Sequence, residues 1–145
     1  MKEQFRTQVS EGNYTKAYQL FKSMNREEAS QILYSIGDTG NILAYGFCCF
    51  ALFQEETAEN HYLASAINTN ACYVKGAYAL AFHHAKMAIR LSRDVKFLEH
   101  ILLFNVIPEK LLDDEEAVRI AQEVMQIVPN SSSALYVLNS AKART

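Results

Sequence analysis

The chain has 145 residues, half of them apolar and 21% charged, which is enough for one domain with its own core and an ordinary globular balance. A formal net charge of −2 offers no general attraction to nucleic acid or to an anionic membrane, and two prolines with five glycines argue against an all-β or disordered chain. The opening MKEQFRTQVSEGNYTK is too polar for a signal peptide, and the longest apolar run, residues 42–53 broken only by Gly46, falls short of the roughly 20 residues a membrane span needs.

Residues 2–10 place Phe5 and Val9 on a short helical pattern, and Gly12-Asn13 marks a turn. Tyr14, Ala17, Tyr18, Leu20, Phe21 and Met24 then predict a second helix. Asn25 followed by Glu28 forms a capping box that opens a third, with Ala29, Ile32, Leu33 and Ile36 inward and a breaker at residues 37–40. The stretch from Asn41 to Gln54 is apolar nearly all round, which predicts a central helix. A helix from Thr57 to Asn68 follows, carrying Ala58, Tyr62, Leu63, Ala66 and Ile67.

Residues 71–92 read as one long helix or as two with a break near Gly76, with Val74, Ala77, Tyr78, Ala81, Ala85, Ala88 and Ile89 as the stripe. Asp94 caps a helix containing Phe97, Leu98, Ile101, Leu102 and Phe104, which Pro108 ends or kinks. The clearest helix of all begins at Asp113, an N-cap with Glu116 three residues on and acidic Asp114 and Glu115 in the first turn. Its apolar stripe is Ala117, Ile120, Ala121, Val124, Ile127 and Val128, and Pro129 stops it. Asn130 and residues 131–133 cap a final helix with Ala134, Leu135, Val137 and Leu138. No segment keeps a period of two, so the prediction is an all-α chain of about eight helices stacked as antiparallel hairpins in a single domain, residues 1–145.

The run from Asp113 to Asn130 resembles the second helix of a tetratricopeptide repeat. The residues on that motif are Ala117, Ala121, Val124 and Pro129; Ala121 is smaller and Val124 larger than the family's usual choice. Asn105 stands where the family has glycine, while Ile101 and Phe104 fall where its first helix is apolar. GNYTKAYQLF is similar to the turn and second helix of another repeat through Ala17, Phe21 and Met24, with Ala29 in place of the proline. Gly46, Ala58, Tyr62 and Ser65 give a third partial match. The motif alanines Ala17, Ala58 and Ala117 are 41 and 59 residues apart, against about 34 for a regular array. The resemblance therefore implies divergent repeats, in a right-handed α–α superhelix or closed into a compact bundle.

Candidate chemistry is sparse. The histidines are His61, His83, His84 and His100; adjacent His83 and His84 point about 100° apart on a helix and cannot hold one metal as an i, i+4 pair does. Surface or partly buried histidine is the preferred reading. Cys48, Cys49 and Cys72 include no CxxC, which favours reduced, inert thiols in a cytosolic protein over a disulfide framework or a Cys–His nucleophile. No GxSxG, Walker loop, GxGxxG or HExxH occurs. Glu109 and residues 113–116 cluster at a helix start, where capping accounts for most of them. Lys86, Arg90, Arg93 and Lys96 would form a short basic strip if one helix ran through them. Between Arg26 and Lys75 there is no Lys or Arg, so that region is acidic, which suits either a charged partner or contact inside the fold.

The reading is a cytoplasmic, non-enzymatic protein-binding module with no cofactor, no metal, no nucleic-acid partner and no membrane partner. Its partner is a protein or peptide of unstated identity, and homo-oligomerisation is left open. The resemblance implies a groove lined by the first helices of successive repeats, and by position this points to Phe47, Phe50, Glu99, Leu102 and Glu109, with Phe47 and Phe50 equally suited to a core. A narrower version is a small immunity-type inhibitor of a toxin. The rival is a ligand- or metal-binding helical bundle using His83, His84, His100 or Cys72, which a buried polar site joining two of them would favour.

Overall fold

A computed structural model describes residues 1–71 and 73–144. The expectations that rested on Cys72 fall outside the described residues. These residues form helices and turns and no strand: α1 (Lys2–Ser10), α2 (Tyr14–Ser23), α3 (Arg26–Asp38), α4 (Leu43–Gln54), α5 (Ala58–Asn70), α6 (Ala77–Leu91), α7 (Val95–Ile101), α8 (Leu103–Val106), α9 (Asp114–Ile127) and α10 (Ser132–Arg144). Among them no helix is long and apolar enough to cross a membrane. The chain divides into two compact units, Met1–His84 and Ala85–Thr145.

Capping explains where the helices begin. The side chains of Asn25, Thr57, Asp94 and Asp113 accept from the backbone N–H of Glu28, Asn60, Lys96 and Glu116, which satisfies donors that the first turn leaves unpaired. Ser131 does the same for Ala134 at the start of α10. Residues 37–40 do not break α3 at Gly37. The helix continues to Asp38, and glycine at position 37 serves packing: a Cβ there would meet Ile67 Cγ2 of α5 at 3.3 Å. The chain turns at Gly40, where φ is +82°, a left-handed conformation that glycine adopts without strain. Residues 71–92 are not one helix: α6 starts only after Gly76, whose φ is +86°.

In the first unit α4 packs against α1, α2, α3 and α5. Its inward residues are Ala44, Phe47, Cys48 and Ala51. Phe47 is fully buried, with the rings of Phe5 and Phe21 edge-on at 5.4 and 5.3 Å and Tyr14 at 6.0 Å. An all-round apolar sequence did not bury the helix all round: Phe53 is 85% exposed and Ile42 also faces solvent. The inward face of α5 likewise differs from expectation. Tyr62 and Ala66 are only half-buried, while Asn60, His61, Ser65 and Asn68 are buried beside Leu63, Ala64 and Ile67.

The second unit pairs α9 with α10 and with α7. Ala117, Ile120, Ala121 and Val124 of α9 are buried as predicted, whereas Ile127 is 54% exposed. On α10 the inward residues are Ala134, Val137 and Ala141, and Leu135 faces out. Asn105 of α8 donates to the Leu112 carbonyl at 3.0 Å and to Asp114 Oδ1 at 2.8 Å, closing the loop between α8 and α9. Arg144 and Lys110 also donate to Asp114, and the hydrogen bonds from Arg144, then Asn105, then Lys110 hold its carboxyl well below the usual carboxylate range.

Truncating Phe47 to alanine removes the ring around which the first core is packed, and should cost about 3–5 kcal/mol. Asp113→Ala, which removes only a cap, should cost about 1 kcal/mol. Urea unfolding of both variants checks the ranking, and equal losses would contradict this account of the core.

Candidate functional site

Two constellations stand out, one in each unit. In the second unit α7 and α8 together with α10 line a groove of about 400 Å³, within the range of about 300–1,000 Å³ common for binding clefts. Glu99, His100, Leu102, Leu103 and Val106 form one wall; Ser133, Tyr136 and Val137 form the other. The groove is almost wholly apolar. Leu102 and Val137 are its buried floor, while Tyr136 is 62% exposed and Leu103 and Val106 also reach solvent. Glu99 is the one formally charged lining residue, and its Oε2 accepts from Ser131 Oγ at 2.6 Å. His100 packs edge-on against Phe104 at 5.8 Å, and burial lowers its pKa to about 4, so it presents a neutral imidazole.

The groove brings together two of the sequence-predicted residues, Glu99 and Leu102. Glu109 is exposed on the connection between α8 and α9 and is not in its lining. Phe47 belongs to the core of the first unit, and half-buried Phe50 lies tilted against Tyr14 at 5.9 Å and edge-on to Tyr18 at 6.1 Å. The basic strip does not form along one helix, because α6 ends at Leu91 and Arg93 and Lys96 follow the turn; Arg93 pairs with Glu123. Of the acidic residues at this helix start, Asp113 is engaged in capping, Asp114 pairs with Lys110 and Arg144, and Glu116 pairs with Arg119.

The second constellation joins His84 of the rival reading to His61, a pairing that no sequence motif marks. His61 of α5 is 4% exposed and His84 of α6 is 5% exposed, and their Nδ1 atoms lie 2.9 Å apart. His61 Nε2 is 3.0 Å from Glu56 Oε2, and His84 Nε2 is 2.8 Å from the Tyr45 hydroxyl. Proton counting orders this chain. The carboxylate only accepts, so His61 carries a hydrogen on Nε2, and in its neutral form it offers Nδ1 as acceptor. His84 must then donate from Nδ1, which leaves its Nε2 to accept from Tyr45. Burial, then the neighbouring His61 and His83, lower the pKa of His84 to about 4, which keeps its imidazole neutral near pH 7. Burial raises the Tyr45 phenol well above its ordinary value, with the neighbouring Cys49 thiol adding to it.

Of the residues in the rival reading, His84 is therefore joined to His61, while His83 is exposed and His100 lies in the second unit. The signal in the sequence was slight: His61 and Ser65 are one turn apart on α5, as Ala81 and His84 are on α6, and Ser65 Oγ donates to the Ala81 carbonyl at 2.7 Å.

No protein-family model, no curated protein and no solved structure matches this chain.

Nitrogen NMR near neutral pH should find His61 as the Nε2–H tautomer and His84 as the Nδ1–H tautomer; the same tautomer on both rings would break the proton order. His100 supplies a pH test. Its folded pKa lies near 4, below its ordinary 6.5, so between those values the unfolded chain binds the proton and the folded one does not. Its contribution is intact above about pH 6.5 and is lost progressively as pH falls toward 4. Urea midpoints measured across that interval should fall less steeply in His100→Gln than in the parent.

Proposed function

We propose that this chain is a non-enzymatic, tetratricopeptide-like module that binds a segment of a partner protein in the groove between α7–α8 and α10. In the repeat reading α7–α8 and α9 form one hairpin, and α10 is the first helix of the next. First helices of successive repeats are the elements the family resemblance makes groove-forming. The observation that carries the reading is that Glu99 and Leu102, chosen by repeat position, share one cleft with Ser133, Tyr136 and Val137 of the following first-position helix.

The lining chemistry narrows the partner. Leu102, Leu103, Val106 and Val137 offer an apolar trough, and Tyr136 at its rim is the kind of amphipathic anchor that dominates binding energy elsewhere. His100 adds no charge, so Glu99 sets the sign. A fitting partner is a short segment with spaced apolar side chains and one Lys or Arg directed at Glu99. The half-buried and buried free thiols Cys49 and Cys48 suit a reducing, cytoplasmic setting.

Selection of displayed peptides against the folded chain, followed by anisotropy titration, tests this. The selected peptides should share apolar spacing and a basic residue. Tyr136→Ala should weaken binding by roughly tenfold or more, and Glu99→Gln by about three- to tenfold with a reduced salt dependence. Glu109→Gln should leave it within about twofold, the small change typical of a charge outside the contact. Peptides whose affinity ignores both Tyr136 and Glu99 would sink the proposal.

A further inference from the structure

The imidazoles of His61 and His84 meet head-on. Their Nδ1 atoms are 2.9 Å apart and their ring centres 5.2 Å apart, and the difference is what two ring radii occupy. Both nitrogens therefore sit on the line between the ring centres. The far edge of each ring is held: Nε2 of His61 by Glu56 and Nε2 of His84 by Tyr45. Metal-ligating histidines are held in this way, the second nitrogen bonded to a carboxylate or another oxygen that fixes ring and tautomer. We propose that the pair takes up one soft monovalent cation with a filled d shell, copper(I), between the two Nδ1 atoms in place of the proton they share.

Ligand number and direction select the ion. Two nitrogens opposed on a line suit linear two-coordination, which filled-shell monovalent cations accept. Zinc takes four ligands in a tetrahedron, and calcium and magnesium take a shell of oxygens. Among the described residues no group of three or more His, Cys, Asp or Glu gathers around one point, so neither arrangement is offered. Two metal–nitrogen bonds of about 2 Å each put the nitrogens about 4 Å apart, so the rings part by about 1 Å on loading. The surroundings are otherwise those of a closed site, since both histidines are buried.

The protons balance without loss. Before loading, Tyr45 donates to His84 Nε2, His84 donates from Nδ1 to His61 Nδ1, and His61 donates from Nε2 to Glu56. On loading, His84 loses its Nδ1 proton and gains one at Nε2, where it donates to the Tyr45 oxygen. The Tyr45 hydroxyl keeps its own proton, turned away from His84, and its oxygen becomes the acceptor. His61 keeps its Nε2–H on Glu56, and that carboxylate offsets the added positive charge. The copper is neither oxidised nor reduced.

The test uses the full chain under anaerobic, reducing conditions, with copper(I) supplied from its bicinchoninate complex and nitrogen NMR of the four histidines as a second readout. One equivalent should be withdrawn, with the Nδ1 resonances of His61 and His84 both moving and those of His83 and His100 unchanged. His61→Asn and His84→Asn should each lose at least about a hundredfold in affinity, and Glu56→Gln about tenfold, the usual cost of an outer partner. Zinc supplied alone should not move either resonance. A variant with all three cysteines changed to serine should keep the site; if it fails to fold, the histidine resonances of the parent chain decide. Failure to withdraw copper(I), or uptake that leaves the His61 and His84 resonances in place because thiols hold the ion, overturns the proposal. Neither result bears on the groove of the second unit, whose peptide binding is measured separately.

Discussion

Close approach between helix backbones is the constraint on which the rest of this structure depends. Ala29, Ala44, Ala51 and Ala64 in the first unit and Ala117, Ala121 and Ala134 in the second are all buried at helix contacts. With methyl groups or glycine at the contact, main-chain atoms of one helix come within reach of side chains on the next. Ser65 Oγ reaches the carbonyl of Ala81 in this way, and Ile67 lies against Gly37. The gain is dense packing with little side-chain entropy lost, since alanine has none to lose.

The same closeness expels water, so a polar side chain at such a seam must find its partners within the protein. The buried polar residues of α5 meet that demand. Asn60 donates to the Glu55 carbonyl and accepts from Arg26; Asn68 donates to the Ala64 carbonyl; His61 reaches both Glu56 and His84. Each is satisfied by a group close in sequence or directly across the seam. The facing imidazoles are the least ordinary of these solutions, because two rings that could each donate or accept are forced into opposite roles by what holds their outer edges.

Helix starts were legible in the sequence because capping is local: Asn25, Asp94 and Asp113 act on residues two or three positions away. The all-α class and the inward stripe of α9 were legible for the same reason, being set by spacing within one helix. What failed needed information from a second helix. Apolar residues on every side of α4 could not say that Phe53 would face out, because nothing within that helix distinguishes its faces. Phe47 could not be assigned to core over groove until Phe5 and Phe21 were placed around it. Glu99 and Leu102 do share a cleft, whereas Glu109, on the α8–α9 connection, does not line it. The histidine pair has members 23 residues apart on separate helices, and no local motif joins them.

The knot at Asp114 bears on how the last helix behaves. Arg144 donates to Asp114 Oδ1 at 2.7 Å and to Asn105 Oδ1 at 3.3 Å, so the final turn of α10 is moored to the first turn of α9 and to α8. Helix ends ordinarily fray, since their last carbonyls have no partner further along the chain. Here the mooring is ionic and at the surface, and surface ion pairs weaken as salt shortens the reach of charge. Order at the tail of α10 is thus tied to ionic strength, while its middle, held by Val137 in the groove floor, answers to burial instead.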